Sequence, residues 1–197
     1  MTATEPQVDG RHARRDRNRT AVVEAMIALY HEGNYEPSSD EIAARAGLSP
    51  RSLFRYFDDL DDLVRTAISH QLEAVLPFAS IDFDVERPLP ERIEGFLRAR
   101  LRVYDKIEVA ARVARARALT QPLLAEQVAQ ARKFWRDQVA AVFAPELART
   151  DAPADTLAAI DVLTSFESVL HLREQGLSRT RLEAAIGAAL TRLLEDR

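Results

Sequence analysis

The sequence predicts an all-α protein of about nine helices, with an N-terminal three-helix domain followed by a helical C-terminal domain. Three observations carry this expectation. Apolar residues recur at helical spacing through most of the 197 residues. Glycine occurs only six times, and no stretch alternates apolar and polar residues over the length of a strand. Pro122, Pro145, Pro153 and Gly176 fall between the periodic segments.

The elements follow in order. Val22, Met26, Leu29 and Tyr30 share one helical face and Gly33 stops it, giving a first helix of about Arg14 to Glu32. In "SSDE", Ser38 stands three residues before Glu41, a capping box that opens a short second helix ending at Gly47. Ser49 caps a third helix with Pro50 in its first turn, where a missing N–H does no harm. Asp58, Asp59, Asp61 and Asp62 open a fourth, where negative charge complements the helix dipole, a reading preferred to a metal site. The character of the chain changes near residues 77–90, where "ERPLP" breaks it. Later helices are expected at about Glu91–Tyr104, Lys106–Leu119, Gln121–Phe143, Ala154–Gln175 and Ser178–Leu194.

Composition narrows the function. Hydrophobic residues make up 47% and charged residues 29%, as in soluble globular proteins. The absence of cysteine excludes disulfides, thiol catalysis and cysteine-based zinc sites. No apolar run follows the N-terminal charges, and none reaches membrane-span length, so a cytoplasmic protein is expected. A net charge of −4 argues against nonspecific coating of nucleic acid. Basic character is local instead: Arg11, Arg14, Arg15, Arg17 and Arg19 are opposed only by Asp16.

The segment "SPRSLFRYF" (Ser49–Phe57) is the most informative. Projected on a helix, Leu53 and Phe57 face inward with Pro50, while Arg51, Ser52, Arg55 and Tyr56 face outward. Two guanidinium forks, a hydroxyl and a phenol suit base edges and phosphates. "AGLS" (Ala46–Ser49) supplies a glycine-bearing turn, and small Ala43 permits close approach, so residues 38–57 read as a helix-turn-helix.

With "EIAARAGLS", "SLFRYF" and "LVRTAI" (Leu63–Ile68), residues 15–75 resemble the DNA-binding domain of the TetR (tetracycline repressor) family. The resemblance implies a flexible basic arm over 1–14, the DNA-binding domain over 15–75, and a ligand-binding and dimerisation domain over 76–197. It implies DNA contacts from Ser38, Ser49, Pro50, Arg51, Ser52, Arg55 and Tyr56, with Arg14, Arg15 and Arg17 alongside. Three positions depart from the family pattern: Arg51 replaces a frequent glycine, Phe54 a frequent tyrosine and Leu60 a common lysine. Loss of the last two contacts is expected to weaken phosphate binding.

The C-terminal helices suggest a pocket and a seam. Arg100 lies in the middle of an apolar stripe of Ile93, Phe96, Leu97, Tyr104 and Ile107, so it needs an internal carboxylate, a snorkelling stem or the acidic group of an effector. Gln127 and Gln138 interrupt the stripe that includes Trp135 and read either as polar edges of a core or as orienting groups in an apolar pocket. Phe96, Arg100, Tyr104, Gln127, Trp135, Gln138 and Phe166 are the candidate ligand contacts. The eighth helix is apolar on more than one side, and the ninth has seam spacing beside small residues. A dimer interface is therefore expected at Leu163, Leu170, Leu182, Ile186, Ala189, Leu190 and Leu193. Gly187, unfavourable inside a helix, suggests close helix–helix approach.

Glu167, His171 and Glu174 have helical spacing but read as a solvated edge. No phosphate loop, dinucleotide motif or nucleophile elbow is present, so neither an enzyme nor a cofactor nor a bound metal is expected. The expected function is a homodimeric regulator of transcription, a repressor released from a palindromic duplex operator by a small-molecule effector. The alternative is a helical small-molecule or protein-binding module that has lost DNA affinity, favoured by Leu60 and the acidic run and opposed by Arg51 and Arg55.

Overall fold

The computed structural model describes residues 10–79 and 84–195. Ten α-helices and no strands occur among the described residues. The basic arm expected over residues 1–14 falls in part outside them, as do residues 80–83 of the break near 77–90. The chain divides into two compact units, 1–74 with 109–113, and 75–108 with 114–197.

In the first unit, α1 (Gly10–His31), α2 (Ser39–Arg45), α3 (Pro50–Leu53) and the larger part of α4 (Leu60–Ala79) enclose an apolar core. Val22, Met26, Ile42, Leu53, Phe57, Leu63 and Ile68 are all buried there. The capping box forms as spaced: Ser38 Oγ accepts from the Glu41 N–H at 3.3 Å, and the Glu41 carboxylate accepts from the Ser38 N–H at 2.8 Å. Gly47 has φ +69°, the left-handed turn that lets α2 stop and α3 begin.

Helix α3 is shorter than the eight-residue projection. Regular helix ends at Leu53, and the chain continues in tight turns, with Arg55 N–H on Ser52 O at 3.2 Å and Tyr56 N–H on Leu53 O at 2.9 Å. Leu53 and Phe57 face inward and Arg51 and Arg55 outward as projected, but Pro50, expected inward, is exposed at the start of the helix. The acidic run serves as the start of α4: Asp59 accepts from the Asp62 N–H at 2.6 Å, and Asp62 accepts from the Asp58 N–H at 3.3 Å.

The second unit holds α5 (Leu89–Ala118) apart from residues 109–113, with α6 (Pro122–Val142), α7 (Ala144–Leu147), α8 (Pro153–Leu163), α9 (Phe166–Glu174) and α10 (Arg179–Glu195). Its helices differ from the expected ones at three places. The two helices expected at 91–104 and 106–119 are one, since neither Pro nor Gly interrupts 96–118 and Asp105 faces outward to Arg173 and Arg179. The single helix expected at 154–175 breaks at Thr164, and Ser165 caps α9 by accepting from the Ser168 N–H at 3.1 Å. A four-residue helix, α7, follows α6.

That short helix places Glu146 against Arg92 of α5. Both are buried, at 5% and 4% exposure. Arg92 grips the carboxylate with both terminal nitrogens, gives Nη1 also to Val142 O at 2.7 Å, and gives Nε to Arg87 O at 2.9 Å. Four of its five N–H donors meet charge or carbonyl, the condition under which a buried ion pair is tolerated.

Two expectations for α10 change. Leu182, Ile186 and Leu190 are buried inside the chain itself, at 1%, 3% and 0% exposure. A Cβ at Gly187 would stand 3.6 Å from Leu97 and 3.7 Å from Ile93, ordinary contact distances, so close approach does not require glycine there.

Glu146→Leu is expected to destabilise the fold by about 3–5 kcal/mol, because it strands a buried guanidinium. Arg92→Met combined with Glu146→Leu should recover most of that loss. Chemical denaturation of the two variants decides it: a double variant no more stable than the single one would show that the pair, rather than the stranded charge, sets the effect.

Candidate functional site

On the first unit, Ser49 Oγ accepts from the Ser52 N–H at 3.3 Å and fixes the start of α3. Leu53, at 0%, and Phe57, at 2% exposure, root the segment in the core. Arg51 and Arg55 are exposed, as are Ser38, Ser49 and Pro50, while Ser52 and Tyr56 are half-buried. The Tyr56 phenol accepts from the Asn18 amide at 2.8 Å, which ties the segment to α1 and leaves the phenol's own proton to donate outward. Arg14, Arg15 and Arg17 are exposed on α1, and the guanidinium of Arg19 lies 4.9 Å from the Phe57 ring centre. Phe54 is exposed at 48%, an apolar ring beside the two arginines. These outward groups form a cationic, donor-rich surface on and around a short helix that follows a glycine turn.

On the second unit, Arg100 is the largest fully buried side chain, at 1% exposure. Its guanidinium carbon lies 4.6 Å from the Phe96 ring centre, 4.8 Å from Trp135 and 5.9 Å from Tyr104. Nη2 donates to Trp135 O at 3.1 Å and Gln138 Oε1 at 2.9 Å, and Nη1 reaches the Tyr104 hydroxyl at 3.4 Å. Nε has no hydrogen-bond partner. Burial pulls the Arg100 pKa below the usual guanidinium range, partly offset by Tyr104 and by the charge of Asp161. Burial likewise raises the Tyr104 phenol, against the pull of Arg100. That phenol donates to Thr164 O at 3.0 Å, and its ring meets Phe166 and Trp135 edge-on at 5.4 and 5.8 Å.

Residues 22–67 match the family model described as "Bacterial regulatory proteins, tetR family". The matched residues all lie within the N-terminal unit. The match spans the helix-turn-helix of that unit. Solved structures agree in fold. A protein assigned to the TetR-family transcriptional regulators from Rhodococcus sp. is 19% identical, with TM-score 0.59, covering 91% of this chain and 99% of its own. One from Mesorhizobium loti MAFF303099 is 18% identical, with TM-score 0.58 and coverage of 92% and 97%. The multidrug binding protein EbrR, complexed with imidazole, is 21% identical, with TM-score 0.62 and coverage of 98% and 97%. No curated protein matches the chain.

The structure gathers Phe96, Arg100, Tyr104, Trp135, Gln138 and Phe166 into one cluster. Of the remaining candidate ligand residue, Gln127, the side-chain oxygen is buried without a hydrogen-bond partner. Of the candidate interface residues, Leu163, Leu170, Ala189 and Leu193 are half-buried, while Leu182, Ile186 and Leu190 belong to the chain's own core. Sequence reasoning missed Thr164, whose carbonyl receives the Tyr104 proton at the break between α8 and α9. The signal was the pair Ser165 and Ser168, a cap pattern inside an apolar run.

Glu167, read from sequence as a solvated edge, is a junction. It accepts from Arg115 at 2.9 Å and Arg132 at 2.7 Å, joining α9 to α5 and α6. Burial raises its pKa, but the hydrogen bonds from the two arginines outweigh that and hold it at about 2. A carboxyl so depressed stabilises the fold fully above its ordinary value of 4.5 and loses that contribution as pH falls towards 2. With 43% of the side chain exposed, solvent screening reduces the effect to about 1 kcal/mol. Glu167→Gln is therefore expected to lower stability by that amount at neutral pH, with wild type and variant converging by about pH 2. A gap between their denaturation midpoints that persists at the acid end would refute the assignment.

Proposed function

We propose that this chain is a homodimeric, effector-responsive regulator of transcription, a cytoplasmic repressor without enzymatic activity that leaves a palindromic operator when a small molecule occupies its C-terminal unit. The observation that carries the DNA half is the exposure of Arg51 and Arg55 beside the buried anchors Leu53 and Phe57. An arginine held rigid at the start of a helix after a glycine turn is suited to grip guanine O6 and N7 in the major groove. Ser38, Ser49, Pro50, Ser52 and the Tyr56 hydroxyl are placed to follow the adjoining phosphates, with Arg14, Arg15 and Arg17 adding charge from α1. The effector half is supported by the buried polar cluster around Arg100, and in EbrR a similar fold is described as binding multiple drugs.

Operator selection from random duplex DNA tests the reading. Arg51→Ala is expected to cost about 1–3 kcal/mol on the selected duplex and to relax preference at one base position. Its loss on scrambled duplex should be smaller. Equal losses on both would mean that Arg51 positions the helix and reads no base.

Dimerisation uses the apolar surface that the chain leaves part-exposed: Leu163 on α8, Leu170 on α9, and Ala189 and Leu193 on α10, with Val162 exposed at 64% beside them. Wild-type protein is expected to sediment as a dimer at micromolar concentration. Leu193→Asp should give a folded monomer with weakened operator binding, since each protomer reads one half-site. Ile186→Asp should instead unfold the chain, because that side chain is 3% exposed within a single protomer. A monomeric wild type would end the dimer reading.

A further inference from the structure

We propose that Arg100 receives the carboxylate of a small organic acid, and that Gln138 relays its arrival to the end of α4. This rests on the effector half of the reading above and gives that effector a chemical class.

The two buried arginines of α5 make the comparison. Arg92 is met by a carboxylate and two carbonyls. Arg100 is more deeply buried, yet no carboxylate lies within ion-pair distance of it among the described residues. Its partners are one carbonyl, one amide oxygen and a hydroxyl at 3.4 Å, and its Nε has none. Ring faces and carbonyls soften the burial of a cation but supply no formal negative charge. The nearest influence of that sign, Asp161, is itself 3.7 Å from Arg136. A charge kept in this state is matched by a ligand that brings the missing anion.

The surroundings specify the ligand. One cation balances one negative charge, so a dianionic phosphate would leave an uncompensated charge in the same apolar space. The aromatic walls of Phe96, Tyr104 and Trp135 suit an apolar body attached to the acid. Trp135 and Gln138 are only half-buried, so the cluster is least covered on the α6 side.

Gln138 joins the site to α4. Its Oε1 accepts from Arg100 at 2.9 Å, while its Nε2 donates to Ala79 O, at the last residue of α4, at 2.8 Å. A carboxylate is a stronger acceptor than an amide and takes Nη2 from Gln138. The released amide then turns, and the hold on Ala79 changes. Gln138 is a positioning residue in this scheme.

Trp135 is the sole tryptophan of the sequence and lies against Arg100, so its fluorescence reports occupancy. The test titrates the full chain with benzoate and decanoate, with benzamide and decanamide as neutral counterparts, and with inorganic phosphate. At least one carboxylate should bind saturably and at least about tenfold more tightly than its amide or phosphate. Arg100→Met should remove that preference. Gln138→Glu, which offers Arg100 an internal carboxylate, should weaken acid binding by about tenfold or more. Equal binding of acid and amide, no binding of either acid, tighter phosphate, or an undiminished preference in Arg100→Met would each overturn the proposal. Should Arg100→Met not fold, the wild-type comparison and Gln138→Glu decide. For the relay, Gln138→Leu should bind acid but no longer release a selected duplex, and release equal to wild type would overturn it. Acid bound through Arg100 with DNA retained would leave the acid site standing and sink the regulatory reading. DNA released by another class of compound while neither acid binds would do the reverse.

Discussion

The desolvated guanidinium of Arg100 constrains more of the C-terminal unit than any other group. Once it is withdrawn from water, every polar atom near it must compensate. The Trp135 carbonyl and the Gln138 amide meet it from α6, and the Tyr104 hydroxyl from its own helix. Two of these are then drawn into a second contact: Tyr104 donates to Thr164 O where α8 ends, and Gln138 to Ala79 O where α4 ends. The break between α8 and α9 is thus where a carbonyl freed from the helix ladder finds a phenol. One charge links α4, α5, α6 and the end of α8 through hydrogen bonds that would otherwise be left unmade.

The N-terminal unit is held by different means. Its start and stop signals are local: a capping box at Ser38 and Glu41, a left-handed Gly47, a serine cap at Ser49 and an aspartate cap at Asp59. Each lies within a few residues of the backbone it satisfies. That economy leaves the outer edge of α3 free of structural duties. Arg51 and Arg55 have no work in the core, and Tyr56 spends one lone pair on Asn18 while keeping its proton.

This difference explains what the sequence could disclose. Signals at i to i+4 were readable, so the helix-turn-helix, its caps and its outward arginines followed from spacing alone. The apolar stripe around Arg100 was readable for the same reason. Contacts between distant residues were not. Arg92 meets Glu146 across 54 positions, and Arg115 and Arg132 find Glu167 across 52 and 35. Nothing local to those residues distinguishes a junction from a solvated charge. The stripe of Leu182, Ile186 and Leu190 shows the same limit from the other side: periodicity identifies the buried face but cannot say whether a neighbouring helix of the same chain or of another copy covers it.

The magnitudes set how such a protein is able to switch. Moving a two-state equilibrium from 1:99 to 99:1 requires a ligand to favour one state by about 5.5 kcal/mol. A hydrogen bond to a charged group contributes about 1.5–3 kcal/mol, so one acid on one Arg100 falls short. In the homodimer proposed above, two protomers on one operator would double the contribution to about 3–6 kcal/mol, which spans the requirement. Only the part that differs between states counts, since an acid bound equally well in both shifts nothing. Gln138 is where that difference can arise, because its amide holds Arg100 through Oε1 and Ala79 O through Nε2. Helix α4 carries residues of both units, 60–74 in the first and 75–79 in the second.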